Sequence, residues 1–140
     1  MSTKVKVSSP KLVIDLQYAS PAIEASVNKA AASAALKKWV KNATPLSGLV
    51  TLRFVNAAEG KKLNFTYRQK DYATNVLTFA YALSNNTLAT DIIFCLPVLQ
   101  KEAKEQNKSL KAHLAHLVVH GCLHAQGHDH EVSRDAKKME

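Results

Sequence analysis

The chain has 140 residues, 46% hydrophobic and 21% charged, with 19 Lys and Arg against 11 acids and a net charge of +8. That length gives one domain with a sizeable core, and no apolar run approaches the roughly 20 residues of a membrane span. The surplus of positive charge suits a polyanionic partner, RNA or DNA, as well as a generally basic, soluble surface.

The start, Met1-Ser2-Thr3-Lys4-Val5-Lys6, lacks the apolar stretch of a signal peptide, so the cytoplasm is the expected compartment. Residues 1–10 read as a loose, polar start. Leu12, Ile14, Leu16 and Tyr18 alternate with Val13, Asp15 and Gln17, the pattern of a strand with one face more buried. Ser20-Pro21 opens a helix that the alanine-rich composition extends to about Lys41, with Ile23, Val27, Ala30, Ala34 and Val40 among its apolar positions. Lys37, Lys38 and Lys41 favour its C-terminal end, and residues 42–45 break it. Residues 48–55 form a second strand and residues 57–68 a short helix, with Leu63 and Tyr67 paired at i, i+4. A polar loop over 68–75 feeds a third strand at Val76–Tyr81. Residues 84–87 turn the chain into a fourth strand at Asp91–Leu96, and Pro97–Asn107 is polar and helix-prone. Ser109 caps a further helix, and the charged tail over 131–140 reads as helical or frayed. Cys95 and Cys122 lie in apolar stretches and read as buried free thiols. Interleaved strands and helices predict an α+β fold in a single domain over 1–140, with a mixed sheet of about four strands packed against helices.

All six histidines fall between residues 113 and 130. His120 and His124 are four apart and share a helix face; Gly127 offers a stop that lets the chain turn His130 toward them. Three imidazoles with one position left over are the ligand set of a catalytic zinc. From Leu110 to Ala125 the one formal charge is Lys111 and apolar residues surround the wheel, which predicts a buried helix rather than a solvated histidine-rich surface. Cys122 points away from His120 on such a helix, and His113 and His116, at −7 and −4 from His120, read as packing or supporting residues. The spacing equals that of the metzincin peptidases, but Gly121 stands where their glutamate base belongs, which demotes proteolysis.

The stretch His120-Gly121-Cys122-Leu123-His124-Ala125-Gln126-Gly127-His128-Asp129-His130 resembles the His-Gly-x-Leu-His-x-x-Gly-x-Asp-His signature of the bacterial YbeY-type endoribonucleases. Residues 63–79, from Leu63-Asn64 through Tyr67-Arg68 and Thr74-Asn75-Val76-Leu77, are similar to a second block of that family, and Asp91-Ile92-Ile93 to its strand entering the site. The resemblance implies a zinc ion, or a related divalent metal, on His120, His124 and His130, and Arg68 as the basic residue of the catalytic cleft. It implies cleavage of single-stranded RNA in ribosomal RNA maturation and ribosome quality control, with ribosomal RNA and ribosomal proteins as partners. His128 replaces a frequent tyrosine and is not counted as a ligand. Ala125-Gln126 replaces a more apolar pair, Ala80 a common proline, and Lys111 and His113 frequent acids.

Under that reading zinc acts as a Lewis acid or lowers the pKa of a bound water, and Arg68 offers a planar donor fork to the phosphoryl group. Taken alone, Arg68 reads as a surface ion pair with Asp71; within the site Asp71 reads as a supporting or substrate-contacting residue. Asp129 either orients a ligand imidazole or caps the turn after Gly127. Thr74 and Asn75 either contact phosphate or serve as turn residues. Two rivals remain: a metal-dependent hydrolase of peptides or small esters, and a non-catalytic ribosome assembly factor with structural zinc.

Overall fold

The computed structural model describes residues 11–84 and 87–127, so the polar start, Asn85-Asn86 of the expected turn, and the charged tail lie outside the described residues. Strands β1 (Leu12–Tyr18), β2 (Ser47–Val55), β3 (Val76–Ser84) and β4 (Thr87–Cys95) form one mixed sheet in the order β1-β2-β4-β3. β1 with β2 and β2 with β4 run parallel, while β3 returns antiparallel along β4. Parallel neighbours need long crossovers. Helices α1 (Pro21–Ala30) and α2 (Ser33–Ala43) supply the first, and α3 (Ala57–Arg68) with β3 the second; α4 (Leu96–Glu105) and α5 (Leu110–Ala125) follow. This is the expected α+β architecture with a mixed four-stranded sheet.

Alternation along the strands sorts the two faces. Val50, Leu52 and Phe54 of β2 and Leu88, Ile92 and Phe94 of β4 are fully buried against Val27, Leu36 and Val40 of α1 and α2 and Leu114, Val118 and Cys122 of α5. The rings of Tyr18, Phe54 and Phe94 stack in a row at 5.6 and 5.1 Å between centroids across β1, β2 and β4. On the opposite face Val13 and Leu49 stay open to solvent. No described helix is long and apolar enough to cross a membrane.

The single helix expected from Pro21 to about Lys41 is two. Ala31 is extended, at φ −153° and ψ 120°, and Ala34 is exposed rather than inward. The cause is phase. Val27 and Leu36 are nine residues apart, which on one continuous helix places them on opposite sides. The break at Ala31-Ala32 lets the Ile23/Val27 stripe and the Leu36/Val40/Ala43 stripe both face the core. Both strands beside the site differ from expectation as well. β3 runs on to Ser84 and β4 starts at Thr87, while Leu96 leaves the sheet to open α4, with Pro97 in the first turn where its missing N–H costs nothing.

Helix α5 starts at Ser109, whose hydroxyl accepts from the Ala112 N–H at 3.0 Å, and stops before Gly127, which adopts φ 81° as expected of a glycine stop. It is buried on one side, through His113, Leu114, Val118, Gly121, Cys122 and Ala125. The all-round burial expected from its composition gives way on the other side: His116, His120 and His124 are exposed, one turn apart in succession. The sheet covers one flank of the helix, and small or partly covered residues (Ala112, Ala115, Val119) make up much of the rest. Gln126, which departs from the family pattern, is buried and donates from Nε2 to the Ala43 carbonyl at 2.7 Å and the Cys122 carbonyl at 2.8 Å, tying the end of α5 to the end of α2.

Candidate active site

The exposed histidine stripe of α5 forms one wall of a cavity of about 620 Å³; the facing walls are Arg68, Asn75 and the stretch Val76–Phe79 of β3. The rings of His116 and His120 lie nearly parallel, 6.1 Å between centroids and 11° between planes. Helix and sheet approach closely here because of Gly121. A Cβ on Gly121 would sit 3.2 Å from Ile92 Cγ2 and 3.3 Å from its Cδ1, and Ile92 is fully buried. A side chain at that position crowds Ile92, which gives a packing reason for glycine where the peptidases carry their base.

Arg68 reaches the cavity as the last residue of α3. Asn56 caps the start of that helix, its side chain accepting from the Glu59 N–H at 2.8 Å. Gln69, in the left-handed region at φ 59°, ends it and donates its N–H to the Phe65 carbonyl at 2.9 Å. The buried Asn64 then holds the following loop by donating from Nδ2 to the Tyr72 carbonyl at 2.8 Å. The Arg68–Asp71 ion pair is not formed. Asp71 lies 3.7 Å from Lys61 instead and does not line the cavity, so the carboxylate expected there as a supporting residue stands apart. Arg68 has no carboxylate partner among the described residues and is exposed at the cavity wall.

Asn75 is brought into the cavity, but not as a free turn residue. Its Oδ1 accepts from the Val76 N–H at 2.7 Å, and its Nδ2 donates to Glu102 at 3.2 and 3.3 Å. The other partner of Glu102 is His113 Nε2, at 2.9 Å from Oε1. His113 is thus a buried, hydrogen-bonded supporting residue, in line with its reading as packing, whereas His116 stands exposed in the cavity wall. Glu102 was not visible to sequence reasoning: it is one acid in a polar helix, without a motif around it. Its signal lies in three dimensions, as the half-covered carboxylate opposite a buried imidazole.

His120, His124 and Arg68 therefore meet at one cavity, while His128, Asp129 and His130 lie outside the described residues. Among the described residues no group of three potential metal ligands comes together. Two imidazoles one helical turn apart on an open face nevertheless match the donor chemistry of zinc and related divalent ions. The thiols offer no alternative ligand. Cys95 and Cys122 are buried, and burial pushes both thiols up, away from the thiolate form.

Comparison with known proteins matches the chain to one family. The sequence profile of the family described as Endoribonuclease YbeY matches residues 13–140. A protein named Endoribonuclease YbeY from Polynucleobacter asymbioticus is 68% identical over 133 residues, covering 95% of this chain and 86% of that relative. One of the same name from Paraburkholderia phytofirmans is 51% identical, covering 94% of this chain and 87% of its own length. The solution structure of TM1509 from Thermotoga maritima aligns with a TM-score of 0.56 at 25% identity, over 82% of this chain and 73% of that one.

Proposed function

The chain belongs to the YbeY family, and we propose that it is a metal-dependent endoribonuclease that cleaves single-stranded RNA in the cytoplasm during ribosomal RNA maturation and quality control. The observation that carries the reading is the meeting, at one cavity, of the guanidinium of Arg68, which has no carboxylate partner among the described residues, with the imidazoles of His120 and His124 from a different helix. An arginine without a carboxylate partner keeps its planar fork available for a phosphodiester. The net charge of +8 favours approach of a polyanion, and the names of the relatives fit an RNA substrate.

In this reading His120, His124 and His130 hold the metal, zinc for preference. A bound divalent ion supplies Lewis-acid polarisation of a phosphoryl oxygen. The rest falls to the chain. Arg68 binds the scissile phosphate and stabilises the charge that grows on it. Asn75, held by Glu102 and the Val76 N–H, fixes the mouth of β3 beside that phosphate. Gly121 sets the depth of the cavity by letting α5 settle on Ile92. Asp129 is assigned to orienting a ligand imidazole, and ribosomal RNA and ribosomal proteins are the partners.

The test is metal content by elemental analysis together with cleavage of a labelled single-stranded RNA, for wild type, His124→Ala, Arg68→Ala and Arg68→Lys. The expected result is metal bound by wild type and by both Arg68 variants, and lost in His124→Ala. Cleavage falls on the order of 100- to 1000-fold in Arg68→Ala, as for loss of one donor to a developing charge, and Arg68→Lys recovers little of it. Metal bound with RNA left intact by wild type would instead indicate an assembly factor with structural zinc. Cleavage of peptides or esters in place of RNA would indicate a hydrolase of another substrate. A wild type without metal would remove the site.

A further inference from the structure

We propose that the groove beside Tyr67 is a second subsite for the single strand, in which a base stacks on the Tyr67 ring and Lys62 takes the adjoining phosphate. The inference deepens the endoribonuclease reading and rests on it. Tyr67 keeps 63% of its surface open; Phe65 on the same helix is exposed too, but of the two only Tyr67 lines the groove. It is nevertheless held in place: its ring and that of Phe79 form a T-shaped pair, 5.1 Å between centroids and 64° between planes. Tyr81, also exposed, is different, because its hydroxyl is committed to Asp91 at 2.8 Å.

Two further features point to a nucleic acid. The groove is lined by Lys62, Leu63, Thr66 and Tyr67 on one flank of α3, which places an apolar surface, a hydroxyl and an ammonium group within one helical turn and a half. Its one acid, Glu59, is neutralised by Arg53, whose Nε and Nη2 donate to it at 3.0 and 3.3 Å. A stacking ring next to a lysine, here one with no carboxylate partner among the described residues, is the pairing with which sequence-independent single-strand sites are built. Continuity supplies the second. Phe79 lines the histidine cavity and Tyr67 lines the groove, and the two rings touch, so the two spaces are neighbours on either side of one ring pair. Arg68, next in sequence to Tyr67, belongs to the cavity. A strand whose scissile phosphate sits at Arg68 and passes Phe79 therefore meets Tyr67 next.

The test compares binding of fluorescein-labelled oligouridines of about four and about twelve nucleotides, spanning the lower range of single-strand site sizes, to the metal-loaded full chain. The proteins are wild type, Tyr67→Phe, Tyr67→Leu and Lys62→Gln. Leucine keeps apolar contact with Phe79 while removing the stacking face, so a folding defect does not stand in for the effect. Tyr67→Leu is expected to weaken the longer oligomer about tenfold and the shorter one much less, and Tyr67→Phe to bind as wild type does. Lys62→Gln should flatten the salt dependence of the longer oligomer by roughly 0.7 in log–log slope, the share of one phosphate on a single strand. Equal binding by wild type and Tyr67→Leu at both lengths, in a protein that still cleaves RNA, overturns the subsite and leaves the activity standing. A wild type that neither binds nor cleaves either oligomer removes both.

Discussion

The carboxylate of Glu102 joins His113, on the helix that carries the histidine stripe, to Asn75, at the entry to β3: 2.9 Å on one side and 3.2 Å on the other. Three separate segments, the loop before β3, α4 and α5, are locked by one side chain. The walls of the cavity are thereby fixed relative to each other by a polar contact rather than by packing alone.

Glu102→Ala leaves the Nε2 of a buried imidazole without its partner, a loss of about 1–3 kcal/mol for an unsatisfied buried group. Urea denaturation should show that destabilisation. RNA cleavage should fall further than the stability change explains, because Asn75 loses its anchor. Glu102→Gln, which keeps an acceptor for one neighbour, should recover part of both. Equal stability and activity in Glu102→Ala and wild type would show that the carboxylate holds nothing.

Gly121→Ala tests the close approach of α5 to the sheet. Alanine improves helix propensity by about 1 kcal/mol over glycine, so an uncrowded site gains stability. Here the added methyl meets Ile92 at 3.2 and 3.3 Å, and Cγ2, attached directly to Cβ, has little freedom to withdraw from a fully buried position. Overpacking costs about 1–3 kcal/mol, so the net change is expected to be a loss of about 1 kcal/mol. A gain on chemical denaturation would show that Ile92 yields.

Burial raises the thiols of Cys95 and Cys122 above their ordinary value of 9.0. A raised pKa in the folded state means that the stabilisation is complete below that ordinary value and is lost as pH climbs through it toward the folded one. The thermal midpoint should therefore fall as pH rises through 9.0, and fall less in Cys122→Ala. Native protein near pH 8 should resist a thiol-specific reagent that labels both residues in denaturant. Rapid labelling of the native chain would contradict the burial.

Much of the site is legible in the chain because histidine spacing on a helix is a one-dimensional signal. His120 and His124 were bound to share a face, and the structure puts both at the cavity with Arg68, whose place the sequence motif alone had indicated. The phase of Val27 against Leu36 was equally available, and their spacing of nine positions separates α1 from α2. Glu102 was out of reach, since its partners lie 27 and 11 residues away and nothing local distinguishes it from Glu105. The open face of α5 was misjudged for a different reason. Composition around a helical wheel reports which residues tolerate burial, whereas the elements packed against the helix decide which ones receive it.

Four consecutive residues of β3, Val76 to Phe79, line the cavity, yet side chains of consecutive strand residues point to opposite faces. What faces the cavity along this stretch is therefore the rim of the sheet: among the described residues β3 is the last strand in the order, bonded on one side to β4 alone. Its outward amides and carbonyls form a ruler of alternating donors and acceptors, with a repeat set by peptide geometry. Contacts made to that ruler survive every replacement of a side chain, so a mutational scan of the cavity will be blind to them. Their signature belongs to backbone chemistry instead, to proline or ester insertion at single β3 positions.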